Sequence, residues 1–204
     1  MERRKKKMKN KVGTGMMAAG MLFLLMAMGL LGLNWYEESM ARHANEEILP
    51  KVCEQISYET VPDPYDPNMK EVIIDGYAYI GYLRIPALDL ELPVMSSWDY
   101  TRLKIAPCRY YGSVKTDDLV IAAHNYDRHF GKIAQLQNGY AVYFTDMDGI
   151  TYQYAVADYE ILEASDIEDM ISGAYDLTLF TCTYGGKNRV TLRCDRVEET
   201  KISE

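Results

Sequence analysis

The sequence lacks the spaced ligand motifs that build most protein metal sites. It contains four cysteines and three histidines, but neither a Cys-x-x-Cys pair nor a His-Glu-x-x-His pair, so nothing in it supports a zinc site. The acids of TDMDG, residues 145–149, do not have the ligand spacing of a calcium loop and are better interpreted as a turn. We therefore expect neither a metal nor another cofactor.

Positive charge is scarce outside the N-terminus. The first eleven residues, MERRKKKMKNK, contribute +6 to a formal net charge of −8, which leaves −14 for residues 12–204. An acidic domain without a basic, aromatic-interleaved surface is a poor candidate for binding a polyanion. We therefore expect no nucleic-acid partner.

Charge of either sign is absent from Val12 to Leu33. A helix of these 22 residues is long enough, at about 1.5 Å per residue, to cross a hydrocarbon core of about 30 Å. The preceding basic tail, residues 1–11, favours a cytoplasmic N-terminus with the rest of the chain outside. A signal peptide cleaved near Ala27-Met28-Gly29 is the alternative, but the apolar run exceeds the usual h-region of about 7–15 residues. We favour an uncleaved anchor, and both interpretations export the domain that follows.

The remaining chain divides by composition into a stalk with a linker, residues 34–72, and a folded domain, residues 73–204. Within the linker, Tyr58–Asn68 contains three prolines and three acids. From about Ile73, short runs rich in Tyr, Ile, Val and Thr are separated by turn residues. Many short strands with few helices predict a mainly β fold, a closed or nearly closed barrel.

Two local patterns within the domain predict specific elements. Residues 141–162 are typical of a β-hairpin whose turn is Asp146–Gly149. Ser165–Ser172 is predicted to be a short helix, because Ser165 and Glu168 have the spacing of a capping box.

The stretch DLTLFTCTYGG, residues 176–186, carries a candidate nucleophile. Alternate side chains of a strand share a face, so Cys182 is predicted to lie on the face of Phe180, opposite Leu179. A cysteine that ends an apolar strand is nevertheless more often a packing residue than a catalytic one. The strand pattern alone leaves both roles open.

The next predicted strand supplies candidate partners for this cysteine. It places Arg189 and Arg193 on the face opposite Leu192, which we expect to point into the core. The link between the strands, residues 183–188, contains two glycines and can return the chain as an antiparallel neighbour. Cys182 and Arg189 then come within reach of each other. A guanidinium beside a cysteine favours the thiolate and can stabilise an oxyanion when the sulfur attacks a carbonyl.

Delivery of a proton to a leaving amine requires a third group, for which histidine is the usual choice. His43 lies in the stalk, His124 ends the apolar run LVIAAH, and His129 lies in the polar loop NYDRHFG. A strand end is the more rigid mount, which favours His124.

Together these segments resemble one family. LTLFTC followed by NRVTLRC resembles the Thr-Leu-x-Thr-Cys…Arg signature of sortases, the membrane-anchored transpeptidases of Gram-positive bacteria. DDLVIAAHNYDRHFGKIAQL resembles the sortase histidine segment, and LRIPALDLELPVM resembles the first barrel strands. The resemblance covers about Tyr77 to Val197. It implies an eight-stranded sortase-type β-barrel with a few short helices, preceded by a transmembrane helix and stalk.

The resemblance also implies catalytic roles. Cys182 is implied to be the nucleophile on the threonine carbonyl of a Leu-Pro-x-Thr-Gly-like sorting signal. Arg189, with Arg193 as the alternative, is implied to hold the substrate and its oxyanion. His124 is implied to be the general acid toward the departing glycine amine.

The same resemblance implies supporting residues, partners and location. Thr181 and Asn125 are the candidate substrate-binding residues. The partners are surface proteins or pilins that carry a sorting signal, and the acceptor is an amine of a cell-wall precursor or a pilin lysine. The enzyme is expected in the membrane of a Gram-positive bacterium, single-pass, with the catalytic domain outside.

The sortase class is left open by the sequence. HNYDRHFG is similar to the class B pattern, in which His-Asn is followed by Phe-Gly. Class B enzymes, however, carry a long helical insertion before the cysteine strand, whereas the stretch between Glu160 and Asp176 has room for one short helix. Asp63-Pro64-Tyr65 has the composition of a class C lid, although a proline-stiffened spacer is the favoured interpretation.

Two other functions compete with this interpretation. An exported cysteine peptidase or amidase would use the same cysteine and histidine but release its product to water. A non-catalytic, membrane-tethered β-domain for adhesion or sensing would use neither.

Overall fold

A computed structural model of the chain describes residues 2–57 and 68–197. The proposed lid, Asp63-Pro64-Tyr65, lies outside the described residues. The chain divides into two compact units, one ending at Ser39 and the other beginning at Met40.

The described residues of the N-terminal unit all belong to one long helix, α1 (Glu2–His43). Within it, Gly13–Leu33 is long and apolar enough to cross a membrane, and its side chains are exposed rather than packed against protein. An exposed apolar surface of this length is suited to lipid. The segment falls within the predicted anchor, Val12–Leu33, and is a candidate transmembrane segment.

Short helices and nine strands make up the larger unit, as far as its residues are described. A π-helical turn, Ala44–Ile48, leads into α2 (Leu49–Gln55). Two further helices, α3 (Tyr100–Leu103) and α4 (Ile167–Met170), lie between strands. The strands are β1 (Val72–Ile74), β2 (Tyr77–Ile85), β3 (Leu90–Met95), β4 (Cys108–Tyr111), β5 (Leu119–Ala122), β6 (Ala141–Asp146), β7 (Thr151–Glu163), β8 (Leu177–Cys182) and β9 (Asn188–Arg196).

Eight of these strands close into a barrel. Their order is β2-β3-β4-β5-β8-β9-β7-β6, and β6 pairs back with β2, while β1 extends the sheet beside the first half of β2. The pairing is antiparallel except between β3 and β4 and between β5 and β8. Gly81 permits the closure, because a Cβ there would lie 2.0 Å from the carbonyl oxygen of Thr145 on β6. The predicted eight-stranded barrel is confirmed.

Large apolar side chains fill the barrel interior, as the strand alternation predicted. Leu177 and Leu179 of β8 and Leu192 of β9 belong to the main core cluster and are fully buried. Phe180 belongs instead to a smaller cluster on the outer side of the sheet. The face of β8 that carries Phe180 is therefore the one available for a site.

The β6–β7 hairpin turns where it was predicted to turn. The Asp146 carboxylate closes the turn by accepting hydrogen bonds from the N–H groups of Asp148 and Ile150.

The predicted capping box, in contrast, is wrong. Helix α4 is shorter than expected, and its N-cap is Asp166, whose carboxylate accepts a hydrogen bond from the N–H of Glu163 on β7.

Candidate active site

The residues predicted to react lie at the ends of three adjacent strands. Cys182 ends β8 and is the direct cross-strand partner of Arg189 on β9. On the other side of β8, β5 runs parallel, with Ala122 opposite Phe180. Because His124 lies two residues beyond Ala122, it reaches the level of Cys182 on the same face of the sheet. Cys182, Arg189 and His124 all line one pocket.

The loop between Cys182 and Arg189 is held closed by its own hydrogen bonds. The N–H of Thr183 donates to the carbonyl of Asn188 (3.0 Å), and the N–H of Asn188 donates to the Thr183 hydroxyl (3.2 Å). Gly185 and Gly186 have φ angles of 86° and 73°, a left-handed conformation that glycine adopts without strain. The two glycines thus allow the six-residue link to bring Arg189 back beside the cysteine.

Arg189 is fixed to this loop by its guanidinium. Nη1 donates to the carbonyls of Gly186 (3.0 Å) and Asn188 (3.2 Å). A guanidinium carries five N–H donors in a planar fork. Two carbonyls therefore orient the group while its surface lines the pocket.

His124 is held in place by its ring and its backbone. Its ring stacks on Tyr126, with centroids 4.7 Å apart and an interplanar angle of 18°. Its carbonyl accepts a hydrogen bond from the N–H of Phe130 (3.1 Å). A histidine restrained in this way presents its imidazole to the pocket in a defined orientation.

The third histidine of the sequence, His129, is fully buried behind Tyr126. Its ring lies 5.6 Å from that of Tyr126, measured between centroids. Burial lowers the pKa of His129 to about 4, and the nearby His124 adds to the effect. His129 is therefore neutral at physiological pH and packs against the ring of Tyr126.

The candidate substrate-binding residues do not line the pocket. Thr181 is buried, and its hydroxyl donates to the carbonyl of Ala123 (2.8 Å), so it ties β8 to the residue before His124. Asn125 is half-buried in the loop after His124. Neither belongs to the side chains around the pocket.

The alternative arginine, Arg193, also lies away from the pocket lining. It was predicted to point out of the core, and it does so, but it is 3% exposed. Its guanidinium is engaged by Glu160, Thr178 and the carbonyls at the end of α4. Arg189 is consequently the arginine that faces the pocket.

The pocket has a volume of about 310 Å³ and mainly apolar walls. One wall is a chain of aromatic rings: Trp98 lies 5.3 Å from Tyr110, and Tyr110 meets Phe180 edge-on at 5.2 Å. The other residues around the pocket are Tyr100, Leu103, Ala122, Ala123, Glu163, Ala164, Asp166, Ile167 and Met170. Such a cavity suits an extended peptide with apolar side chains.

Most of these lining residues were missed by reasoning from the sequence. Phe180 was within reach, since it shares the face of Cys182 by strand alternation. Trp98 and Met170 were not, because they come from connections between strands whose paths depend on the whole barrel. An exposed tryptophan, 39% accessible here, signals a binding surface only once its neighbours are known.

The other cysteines are placed differently from Cys182. Cys108 and Cys194 are free thiols in the interior, and burial raises the pKa of Cys108 to about 12 and also raises that of Cys194. Cys53 is exposed on α2, far along the chain from the pocket strands, and partial burial raises its pKa. Of the four cysteines, all free, only Cys182 lines the pocket.

A thiol, a guanidinium and an imidazole on one pocket of a β-barrel form the kind of site that cysteine acyl-transfer enzymes use. The Sortase domain family model matches residues 83–197, more than half of the chain. The chain therefore belongs to the sortase family, whose members are cysteine transpeptidases. No curated protein matches the sequence.

Solved sortase structures share the fold. Sortase C1 from Streptococcus agalactiae is 22% identical with a TM-score of 0.56, covering 79% of this chain and 96% of its own. Sortase A from Corynebacterium diphtheriae is 18% identical with a TM-score of 0.55, covering 82% and 86%. Streptococcus pneumoniae sortase C, described for its catalysis and pilin substrate specificity, is 22% identical with a TM-score of 0.53, covering 82% and 90%.

Proposed function

We propose that this sortase cleaves a Leu-Pro-x-Thr-Gly-like sorting signal and transfers the threonine carbonyl, through a thioacyl enzyme, to an amine. The observation that carries the proposal is that Cys182 on β8, Arg189 on β9 and His124, just beyond the end of β5, lie around one apolar pocket. The mainly apolar walls suit the leucine and proline of such a signal.

The first half of the reaction forms the thioacyl enzyme. The sulfur of Cys182, whose proton has passed to His124, attacks the threonine carbonyl carbon, and the carbonyl oxygen becomes an oxyanion beside the Arg189 guanidinium. His124 donates a proton to the glycine nitrogen as the carbon–nitrogen bond breaks. The products are a thioester on Cys182, a neutral His124 and a glycine-containing peptide with a free amine.

The second half returns the enzyme to its starting state. An acceptor amine attacks the thioester carbonyl, His124 takes a proton from the amine, and the carbon–sulfur bond breaks. Arg189 again lies beside the oxyanion. We propose that the acceptor is the peptide amine of a cell-wall precursor or the lysine of a pilin, and that the substrates are surface proteins or pilins.

The Gly13–Leu33 helix supports a location for this reaction at the membrane. With the basic residues 1–11 in the cytoplasm, the barrel lies outside a Gram-positive cell, where sorting-signal substrates and wall precursors meet. We propose a single-pass protein with basic tail 1–11, anchor 12–33, stalk and linker 34–72 and catalytic domain 73–204.

Product analysis separates the proposed transfer from hydrolysis. The full-length chain in detergent is incubated with a Leu-Pro-x-Thr-Gly peptide, with and without oligoglycine or a diaminopimelate-type amine. Transfer predicts an amine-capped product that depends on the acceptor. A cysteine peptidase or amidase predicts the free acid at the same rate in both reactions.

Replacing Cys182 with alanine distinguishes a catalytic function of the domain from a purely binding one. In cells that carry Cys182→Ala, transpeptidase activity predicts that uncleaved surface proteins accumulate in the membrane. A tethered binding domain predicts an unchanged surface-protein profile, since Cys182 would contribute only to packing.

A further inference from the structure

One wall of the pocket belongs to a segment with little regular structure of its own. The connection between β7 and β8, residues 164–176, contributes Asp166, Ile167 and Met170 to the lining. Its only helix, α4, has four residues. One helical turn is not stable by itself, because nucleation costs more than so few hydrogen bonds return. This wall therefore needs an outside support to keep one shape.

Arg193 is buried beneath this connection. It lies on the outer face of β9, on the same face as Arg189, where a side chain would be solvated if nothing covered it. Its exposure is nevertheless only 3%. Burial of a guanidinium costs free energy unless its N–H donors are paired. The hydrogen bonds of Arg193 therefore indicate its structural role.

The guanidinium of Arg193 joins two rigid strands to the end of α4. On the strand side, Nε donates to the Glu160 carboxylate on β7 (2.9 Å) and Nη1 donates to the Thr178 hydroxyl on β8 (3.0 Å). On the connection side, Nη1 donates to the carbonyl of Met170 (3.2 Å) and Nη2 to that of Asp169 (2.7 Å).

The positions of these acceptors explain why an arginine, rather than a lysine, suits position 193. The last carbonyls of a helix have no partner within the helix, and a cation there is favourable. All three guanidinium nitrogens are used, in directions fixed by one plane. The ring of Tyr175, also in the connection, lies 5.5 Å from the guanidinium carbon. A lysine ammonium cannot reproduce this fork.

We propose that Arg193 is a positioning residue that holds the Asp166–Met170 wall in its substrate-binding shape, and so determines affinity and selectivity for the peptide. It acts through Met170 and Ile167 and takes no part in the bond-making steps. The effect on peptide rests on the proposed function; the effect on the wall does not.

The test compares Arg193→Met with Arg196→Met in the full-length chain in detergent. Arg196 is a matched control on the same strand: it donates to the carbonyl of Val114 (2.6 Å) and pairs with Asp117 (2.7 Å), away from the pocket. Two experiments are made on each protein. The first measures the hydrogen-exchange rates of the 164–172 amides. The second measures kcat and KM for thioacyl formation with Leu-Pro-x-Thr-Gly peptides that vary at the leucine and x positions.

Arg193→Met is expected to raise KM about tenfold while kcat changes less than about threefold, because the wall is lost and the reacting groups remain. The differences in kcat/KM among the peptides that vary at the leucine and x positions are expected to become smaller. The 164–172 amides are expected to exchange at least about tenfold faster while β5 amides are unchanged. Arg193→Lys is expected to lie between wild type and Arg193→Met, and Arg196→Met to match wild type in both measurements.

The proposal is overturned if Arg193→Met leaves KM and the exchange of residues 164–172 at wild-type values. It is equally overturned if Arg196→Met reproduces the rise in KM, since that outcome indicates general loosening of the barrel. If Arg193→Met does not fold, Arg193→Lys decides by the same exchange measurement. Should wild type form no thioacyl enzyme with any peptide, the proposed function fails, and the exchange data still decide the role of Arg193.

Discussion

Cys182 and Arg189 stand directly opposite each other across the β8–β9 ladder, at its last pair before the loop. The relationship is local in sequence, because a five-residue loop, 183–187, with two left-handed glycines joins the two strands. It places Arg189 next to Cys182 without depending on distant contacts. His124 is different: it reaches the same level through the parallel pairing of β5 with β8, which the whole barrel must establish.

Replacing Arg189 with lysine is expected to lower kcat/KM for thioacyl formation by about 100-fold or more. Loss of one oxyanion donor commonly costs this much, and a lysine cannot both bind the two loop carbonyls and face the oxyanion. Arg196→Lys, on the same strand, provides the control and is expected to stay within about threefold of wild type. An Arg189→Lys enzyme with wild-type kcat/KM would exclude Arg189 from this role.

Thiol labelling is expected to distinguish the four cysteines. With iodoacetamide at pH 8, Cys182 should react first, because it is partly exposed beside Arg189. Cys108 and Cys194 should stay unmodified, since burial shields them and raises the pKa of both thiols. Peptide mapping by mass spectrometry measures the order, and the urea-unfolded chain, in which all four should react, is the control. Faster labelling of Cys53 or of a buried cysteine would contradict the assignment.

The cysteine–arginine half of this site was predictable from sequence because it depends on alternation and on one tight loop. The Thr-Cys and Arg motifs then supplied roles that alternation could not. The burial of Arg193 was not predictable, since it depends on how residues 164–176 fold back over β9. The positions of Trp98, in the connection after β3, and of Tyr110, on β4, were equally hidden, because both reach Phe180 only when the barrel closes.

Thr181→Val is expected to destabilise the protein and to impair catalysis. The substitution keeps the side-chain shape but removes the hydroxyl that donates to Ala123, at a cost of about 1–3 kcal/mol in the free energy of unfolding. Because Ala123 precedes His124, a fall of about tenfold in kcat/KM is also expected. Thr181→Ser keeps the donor and should retain most of the activity. Urea unfolding and peptide kinetics measure the two effects; equal kinetics for valine and serine would show that this bond does not position His124.

Stability is expected to depend on pH through His129. Its pKa falls from an ordinary value near 6.5 to about 4 in the folded chain, so between these values the unfolded chain binds a proton that the folded chain does not. The free energy of unfolding is therefore unaffected by His129 above pH 6.5 and decreases as the pH falls toward 4, because protonation of His129 favours the unfolded chain. The loss amounts to at most about 3 kcal/mol.

His129→Phe tests this dependence, since it keeps an aromatic ring and removes the titrating group. Urea unfolding at several pH values between 7 and 4 measures the free energy of unfolding of both proteins. Other titrating groups affect both curves alike, so the variant should lose less stability than wild type over this range. Parallel curves would show that His129 is not held neutral.

The central claim is that Cys182 is the acylated nucleophile of a sortase. Its most direct test is mass spectrometry of the full-length chain mixed with a panel of sorting-signal peptides, without an acceptor amine. The predicted result is a thioester on Cys182 whose added mass equals that of the peptide acid ending at its threonine less one water, and which disappears in Cys182→Ala and on addition of hydroxylamine. An adduct on a different cysteine, or none with any peptide, would contradict the claim.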